Sequence, residues 1–511
     1  MGISLTTTTL RPPRVLSKSK LLSFRQCPKR LWLEIYRPEL AEPSSATTSS
    51  FTVGRQVGEV ARRLFDPKGT GVVIDPQAEG VAAAVARTQT LLLGSAPIFE
   101  AGFEAGGARA FADVLLPVRK RGKTVWRMVE VKSATVVKNH YREDAAIQAT
   151  VARAAGLALE SIAVAYVDKT WVYPGGGDYR GLFLEEDVSE DAFGAAATVG
   201  IWVKEALAVV RLAEEPHRAT GAHCSSPYAC GFSGYCNSKT PQAEYPVAWL
   251  PRIQTKALKA AIERDAIIDL RHVPDDLLNA KQLRVKTHTL SGKAYFGAER
   301  AATALNTHQL PAYFLDFETV SFAVPIWRGT RPYQQLPFQF SVHRVTRAGK
   351  LEAESFLDLS GNDPRRALAE SLILACGDRG PIFVYSSFEA ARIRDLAKKY
   401  PKLKPALRAL CGRLVDLLPI AEKHYYHPSQ QGSWSIKQVL PAVAPDLRYD
   451  ALSGVKDGSM AMAAFVEAIA PETAPKRHEQ IRQELIAYCG LDTLAMVWVW
   501  EFLSGGPRTG L

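Results

Sequence analysis

Cysteine is scarce and odd in number, with seven in 511 residues, which excludes a disulfide framework of the kind that staples small secreted domains. No stretch of 18 uncharged apolar residues occurs, so no transmembrane helix is expected. The opening MGISLTTTTLRPPRVLSKSK lacks the apolar core of a secretory signal. A short disordered leader over residues 1–16 and a cytoplasmic location are the expectations. There is no internal repeat and no low-complexity block, which argues against a solenoid. Acidic residues are in deficit: 52 Asp and Glu against 63 Lys and Arg give a net charge of +11. That balance favours a polyanionic partner without identifying one.

What is present is ordinary globular material, 47% hydrophobic and 23% charged. The length exceeds one hydrophobic core and predicts two or three domains. Residues 17–240 read as an α/β domain. Its helices fall at 19–38 (with Cys27 in the middle), 51–65 and 81–93. Strands follow at 96–103, 108–118 and 124–133, then a helix from 142, a strand at 162–168 and a long helix over 188–215. Residues 241–310 read as a mainly helical connector. A second α/β domain covers 311–511, with strands AYFLDFETV, PFQFSVHRV and KLEAESFLD and a long last helix ending in AYCGLDTLAMVWVWEFL.

In MVEVKS, Glu130 and Lys132 are two apart and share a strand face, with Val131 pointing away. Asp113 stands on the preceding strand. Metal-assisted phosphodiester hydrolysis needs carboxylates to hold cations and a group to orient water. An Asp, a turn and then Glu-x-Lys is the pattern of the PD-(D/E)XK nucleases. Glu100 is a further candidate metal ligand that reads equally as a strand-end surface carboxylate, and Glu59 a weaker one that reads better as an ordinary helix-face carboxylate. Three cysteines, Cys224, Cys230 and Cys236, follow C-x5-C-x5-C spacing, and Cys27 lies far upstream. Four thiolates suit an iron–sulfur cluster or zinc, though x5 is long for a zinc knuckle. Cys376, Cys411 and Cys489 read as small core residues.

The stretches FRQCPKRLWL, FADVLLPV, VEVKS and HCSSPYACGFSGYC resemble the RecB-like nucleases that carry an iron–sulfur cluster, including the CRISPR-associated exonuclease family. The resemblance covers roughly residues 17–240. It implies a [4Fe-4S] cluster on Cys27, Cys224, Cys230 and Cys236. It also implies a metal on Asp113, Glu130 and the Val131 carbonyl, with Lys132 on water or phosphate. Many of these enzymes carry Q-x3-Y on the next helix. Here Gln148 is followed at that spacing by Ala152, and His140 and Tyr141 are the candidate substitutes for contacting substrate.

In the second domain Asp316 and Glu318 share a strand face, where two carboxylates repel unless a cation joins them. Tyr488 and Asp492 share a face of the last helix. Asp-x-Glu on a first strand with Tyr-x3-Asp on a last helix resembles the DEDD exonucleases of the Tyr subclass. That resemblance implies a ribonuclease H-like fold, two divalent metals on Asp316, Glu318 and Asp492, and water oriented by Tyr488. The central acid usually stands in N-x3-D form; here Ser386 and Glu389 occupy those places, with Asp416 an alternative acid. Trp434 and Lys437, in GSWSIKQVLP, are suited to contacting unpaired bases. LDFET, GSWSIKQVLP and YCGLDTLAM also resemble a bacterial family that joins such a domain to a RecB-like nuclease.

The expectation is a two-site, Mg²⁺- or Mn²⁺-dependent nuclease acting on DNA, with a 3′–5′ exonuclease as its C-terminal domain and RNA as the alternative substrate, in repair, recombination or defence against mobile DNA. The competing expectation is a nucleic-acid-binding or scaffolding protein with one or both sites degenerate.

Overall fold

A computed structural model describes residues 13–42, 45–506 and 509, with side chains described outside 45–51. Most of the expected leader, residues 1–12, lies outside the described residues. Its end does not: Leu16 is buried in a strand. The chain is mixed α/β and divides into two units. One comprises residues up to 241 together with 322–333; the other comprises 242–321 and 334 onward.

The first unit opens with β1 (Leu16–Ser17), α1 (Lys18–Gln26) and α2 (Pro28–Tyr36). The single helix expected over 19–38 is two helices, and the break falls at Cys27, which is extended at φ −162° and ψ 118°. Pro28 is the cause. Its ring disfavours helical geometry in the preceding residue, and its fixed φ suits the first position of a new helix. Next come α3 (Ser45–Phe65), β2 (Val72–Val73) and α4 (Val81–Leu91), then the meander β3 (Ile98–Ala105), β4 (Ala108–Lys120) and β5 (Lys123–Lys132). A crossover through α5 (Asn139–Ala154) brings β6 (Leu159–Val167) parallel to β5, and β7 (Phe183–Asp187) closes the far edge antiparallel. The sheet order is β2-β3-β4-β5-β6-β7, with β1 paired to the start of β4.

The long helix expected over 188–215 is α6 (Ser189–Gly194) and α7 (Ala196–Val209), broken next to Gly194, a weak helix former. α8 (Ser233–Ser238) follows within the cysteine segment. Residues 322–333 belong with this unit rather than with the domain expected over 311–511. Ala323 and Val324 are buried with Val57, Val60, Val167 and Leu182, and the Tyr333 hydroxyl donates to the Ser133 carbonyl.

The expected connector is part of the second unit. Around α9 (Lys256–Arg264), Leu250, Leu258, Ile267, Leu270 and Val273 form a small core of their own. α10 (Ala280–Ser291), β8 (Tyr295–Phe296) and α11 (Ala298–Asn306) lead into the main sheet, and Val285, Ala301 and Leu305 join its core. That sheet is built from β9 (Ala312–Val320), β10 (Leu336–Val345) and β11 (Leu351–Leu357), paired antiparallel. After α12 (Arg365–Cys376) it adds β12 (Ile382–Val384), parallel to β9. Then come α13 (Phe388–Lys399), α14 (Lys404–Cys411) and β13 (Leu414–Asp416), giving the order β11-β10-β9-β12-β13. The remainder is α15 (Leu417–His424), β14 (Tyr425–Tyr426), α16 (Ile436–Val443), α17 (Gly458–Ala468) and α18 (Pro475–Ser504).

By length and composition α18 could cross a membrane. Its apolar residues instead line the core: Met496, Val497, Trp500 and Leu503 pack with Phe314 and Phe383. Each such side chain contributes roughly 1.5–3 kcal/mol on burial.

Candidate active sites

In the first unit, the β4–β5 ladder has its last registered pair at Val114 and Val129. Beyond it the Val131 amide donates to Asp113 Oδ2 at 2.7 Å, so a side chain takes the place of a ladder carbonyl. Glu100, on β3, stands between the paired positions Phe99–Val114 and Ala101–Ala112, opposite Asp113. Its φ is +57°, a strained conformation for a side-chain-bearing residue. Burial raises its carboxyl pKa, and the Glu130 charge adds to this. Burial and Glu130 likewise push Asp113 well above the carboxylate range.

Glu130 is 1% exposed. Its Oε1 accepts from Lys132 Nζ at 2.6 Å and Lys18 Nζ at 2.9 Å, and its Oε2 from Gln148, whose amide also reaches the Phe111 carbonyl at 3.0 Å. Burial alone would raise the Glu130 carboxyl; the two ammonium groups override it and hold it below the ordinary range. Asp144, on α5, meets the same two lysines at 2.8 and 2.5 Å. Lys18 and Asp144 are absent from the sequence reading. Glu-x-Lys spacing is local, whereas these partners come from α1 and α5. Only Asp144, four residues before Gln148, carried a signal, as a carboxylate on the same helix face.

Tyr141 faces Lys132, with Nζ 5.3 Å from the ring centre, and His140 packs on Tyr141 and Tyr228. Ala152 is fully buried in the core, so a tyrosine at that place would enter the core rather than a groove. Glu59 lies on the exposed face of α3, the ordinary reading of that residue.

The four cysteines come together. Cys27, Cys224, Cys230 and Cys236 line one pocket with Leu33 and Phe232, beside Lys29 and Arg30. All four are free thiols. Burial raises the Cys230 and Cys236 thiols, and the neighbouring cysteines raise them further. The Gln26 side-chain amide, next to Cys27, donates to the His223 and Tyr228 carbonyls, each at 2.7 Å. This tie fastens the N-terminal helix to the cysteine segment.

In the second unit, β12 pairs with β9 only at Tyr313 and Phe314. The strands then splay, and the gap opens at Asp316. Asp316, Glu318, Glu389, Tyr488 and Asp492 line one cavity of about 430 Å³, with Lys437 and Trp434 in its wall. Polar side chains on β10 hold α18 in register against this gap. Gln339 donates to the Leu485 carbonyl at 2.8 Å, and Ser341 and His343 meet the Thr493 hydroxyl at 2.9 and 2.7 Å.

Burial pushes Glu318 up to about 8 and Glu389 up to about 7; Asp492 and Asp316 are also raised, by burial and, for Asp316, by the neighbouring acids. Ser386 donates to Glu389 at 3.1 Å, so the Ser/Glu departure from N-x3-D preserves a hydrogen-bonded acid. Asp416 caps α15 by accepting from the Leu418 amide at 2.9 Å and does not line the cavity. Lys437 stands over the rings of Tyr449 and Tyr488, at 5.1 and 4.9 Å. Trp434 is only 4% exposed, donates to the Tyr425 carbonyl at 2.7 Å and packs on Tyr426. It is a wall of the site, not a platform for a base.

The sequence reading missed Tyr449, whose hydroxyl donates to Asp492 Oδ1 at 2.5 Å. Forty-three residues separate the two, and no motif links them. Burial and the Asp492 charge keep the Tyr449 hydroxyl protonated. Tyr449→Phe frees Asp492 to turn; if the cavity takes a divalent metal, Mn²⁺ affinity there should fall about 10- to 100-fold, as when partners of metal-ligating carboxylates are removed. Calorimetric titration of Mn²⁺ into both proteins checks this; equal affinities would refute it.

The acids also set a pH dependence. A carboxyl with pKa near 4.3 when unfolded and about 8 when folded binds more protons in the folded state between those values. Stability of the metal-free protein therefore falls as pH rises through that window. Thermal unfolding in chelator at pH 5 and pH 8 should show this loss, and Glu318→Gln should reduce it. A divalent metal that bound the ionised carboxylates would restore stability at pH 8, and added Mn²⁺ tests this.

Residues 313–435 match a family model described as a domain of unknown function (DUF2779). The match begins in β9 and takes in Asp316, Glu318 and Glu389, but ends before Lys437, Tyr488 and Asp492. No curated protein matches the chain.

Proposed function

We propose that this chain is a metal-dependent nuclease with two sites, a RecB-like PD-(D/E)XK unit and a DEDD-type exonuclease unit, acting on DNA. The observation that carries the reading is the convergence of Asp316, Glu318, Glu389, Tyr488 and Asp492, from three separate elements, on one cavity. Three buried acids and the partly buried Asp316, with one lysine nearby, form an anionic site that calls for cations. The carboxylates suit Mg²⁺ or Mn²⁺, which take oxygen ligands. Bound there, such ions would supply Lewis acidity and a more acidic water.

The chain's own groups have separable roles. Asp316, Glu318, Glu389 and Asp492 hold negative charge around the cavity. Burial and the Asp492 charge keep the Tyr488 hydroxyl protonated, so it can donate to and orient a nucleophilic water. Lys437 places a positive charge where a phosphate would lie. In the first unit, Asp113, Glu130 and Glu100 form the acidic side, and Lys132 stands two residues from Glu130 to meet water or phosphate. The four-cysteine pocket, part apolar and edged by Lys29 and Arg30, fits an anionic thiolate cluster, for which [4Fe-4S] is the proposal. The net charge of +11 suits a polyanionic substrate.

One observation favours a second reading for the first unit. Lys18 and Lys132 already neutralise Glu130 and Asp144, so a metal at Glu130 must displace an ammonium group. In that reading the unit binds phosphate through the lysines without cutting. The test is cleavage of 5′- and 3′-labelled single- and double-stranded DNA and RNA by wild type, Asp113→Ala and Asp316→Ala. Loss of metal-dependent cleavage in each variant, on different ends or substrates, is expected. Unchanged cleavage in both refutes the nuclease reading; unchanged cleavage in Asp113→Ala alone selects the binding role for the first unit.

A further inference from the structure

Behind the carboxylates that line the cavity of the second unit lies a group that the carboxylate chemistry does not use. Cys489 follows Tyr488 on α18 and is fully buried. Its Sγ lies 3.9 Å from Asp316 Oδ2 and 3.9 Å from the Asp316 carbonyl oxygen. One ligand atom from each of Asp316, Glu318 and Cys489 can be chosen so that all lie within 4.8 Å of one another. A second observation points to a ligand at this place. Glu318 lines the cavity at 6% exposure, and its carboxylate has no hydrogen-bond or ion-pair partner among the described residues. Lining the cavity, it is open to a cation that enters there, and the Lys437 charge already acts on it.

We propose that Asp316, Glu318 and Cys489 form a mixed oxygen–sulfur site that takes a thiophilic divalent cation, Zn²⁺ or Cd²⁺. This rests on reading the cavity as a metal site, and it adds which metals the site prefers. Magnesium takes oxygen ligands in near-octahedral geometry and gains nothing from a thiol; Zn²⁺ binds thiolate, imidazole and carboxylate alike in four-coordinate sites. Two carboxylate oxygens and one sulfur leave a fourth position for water or a phosphate oxygen. On binding, the metal–sulfur bond replaces the S–H bond, and the proton passes to solvent with no change of oxidation state. Zn²⁺ would then compete with Mg²⁺ or Mn²⁺ for the same carboxylates, so zinc sets how much of the protein is loaded for cleavage.

The test uses the full chain, with its four N-terminal cysteines intact in every variant. Co²⁺ serves as the visible stand-in for Zn²⁺. The wild-type spectrum minus that of Cys489→Ser should contain a thiolate-to-cobalt charge-transfer band. Zn²⁺ affinity at this site should fall more than about 100-fold in Cys489→Ala, beyond the cost of losing an outer partner, while Mn²⁺ affinity is unchanged. Retained Mn²⁺ binding also shows that the variant folds, and Cys489→Ser keeps the side-chain volume should the alanine form fail. Absence of the difference band together with equal Zn²⁺ affinities overturns the proposal and leaves Cys489 a core thiol. Asp316→Asn separates the two levels. If it abolishes Mn²⁺ binding while Cys489 variants bind Zn²⁺ normally, only the sulfur ligand is refuted. If it leaves Mn²⁺ binding intact, the metal reading of the cavity fails as well.

Discussion

Asp316→Ala should lower metal-dependent cleavage by the second unit by on the order of a thousandfold, the equivalent of about 4 kcal/mol of transition-state stabilisation. Asp316 is the acid most enclosed by other acids. The Asp492, Glu318 and Glu389 charges all raise its carboxyl, after burial itself. Its strand is fixed on one side by β10, and the splay from β12 on the other side opens the cavity at its side chain. On the proposed metal reading, removing it takes away a ligand that no neighbour can replace without moving a buried carboxylate. The fold should survive, because deleting one of several crowded carboxylates relieves repulsion in the metal-free protein. The metal-free variant should therefore melt no lower than wild type at pH 8. Cleavage of end-labelled DNA in Mn²⁺ measures the first effect and thermal unfolding the second. Wild-type cleavage by the variant on every substrate would remove Asp316 from the chemistry.

If the four-cysteine pocket holds the proposed cluster, Cys27→Ala should cost the first unit that cluster and several kcal/mol of stability, because metal–thiolate binding contributes directly to folding. Cys27 stands at the junction of α1 and α2, and the other three cysteines of the pocket follow about 200 residues later, after the whole sheet. A cluster joining them would close a loop of about 200 residues, and the Gln26 amide is the protein's own tie across the same gap. Wild-type protein purified without oxygen should be brown, with absorption near ~400 nm, and the variant should be colourless. Iron and sulfide analysis together with thermal unfolding checks both parts. A colourless wild type holding one zinc would replace the cluster with a zinc clamp and leave the stabilising role in place.

Much of each site could be read along the chain, because strands and helices convert spacing into direction. Two residues apart on β5 or β9 means one face, and this placed Glu130 with Lys132 and Asp316 with Glu318. Four apart on α18 did the same for Tyr488 and Asp492. The residues that were not legible are those brought in from elsewhere: Lys18 and Asp144 around Glu130, Gln26 across the cysteine gap, and Tyr449 on Asp492. Each is a polar residue of a common type, only Asp144 has a periodic signal through its helix-face spacing to Gln148, and only the packing of distant elements gives each its partner. Trp434 shows the opposite case, since an aromatic beside a lysine reads as a surface for bases until burial shows it to be wall. At Cys27, apolar periodicity favoured one helix, and the local rule for a residue before proline was the stronger signal.

The sequence by itself determined the alternation of helices and strands, the two carboxylate-bearing strands and the order of the chemical groups, because these depend on local geometry and side-chain period. Tertiary structure alone decided which groups share a cavity. It drew the cysteine segment back to Cys27, assigned residues 322–333 to the first unit, and set the Cys489 thiol against Asp316. Those juxtapositions depend on how sheets splay and helices cross, which is fixed by the burial of whole faces rather than by any one stretch of chain.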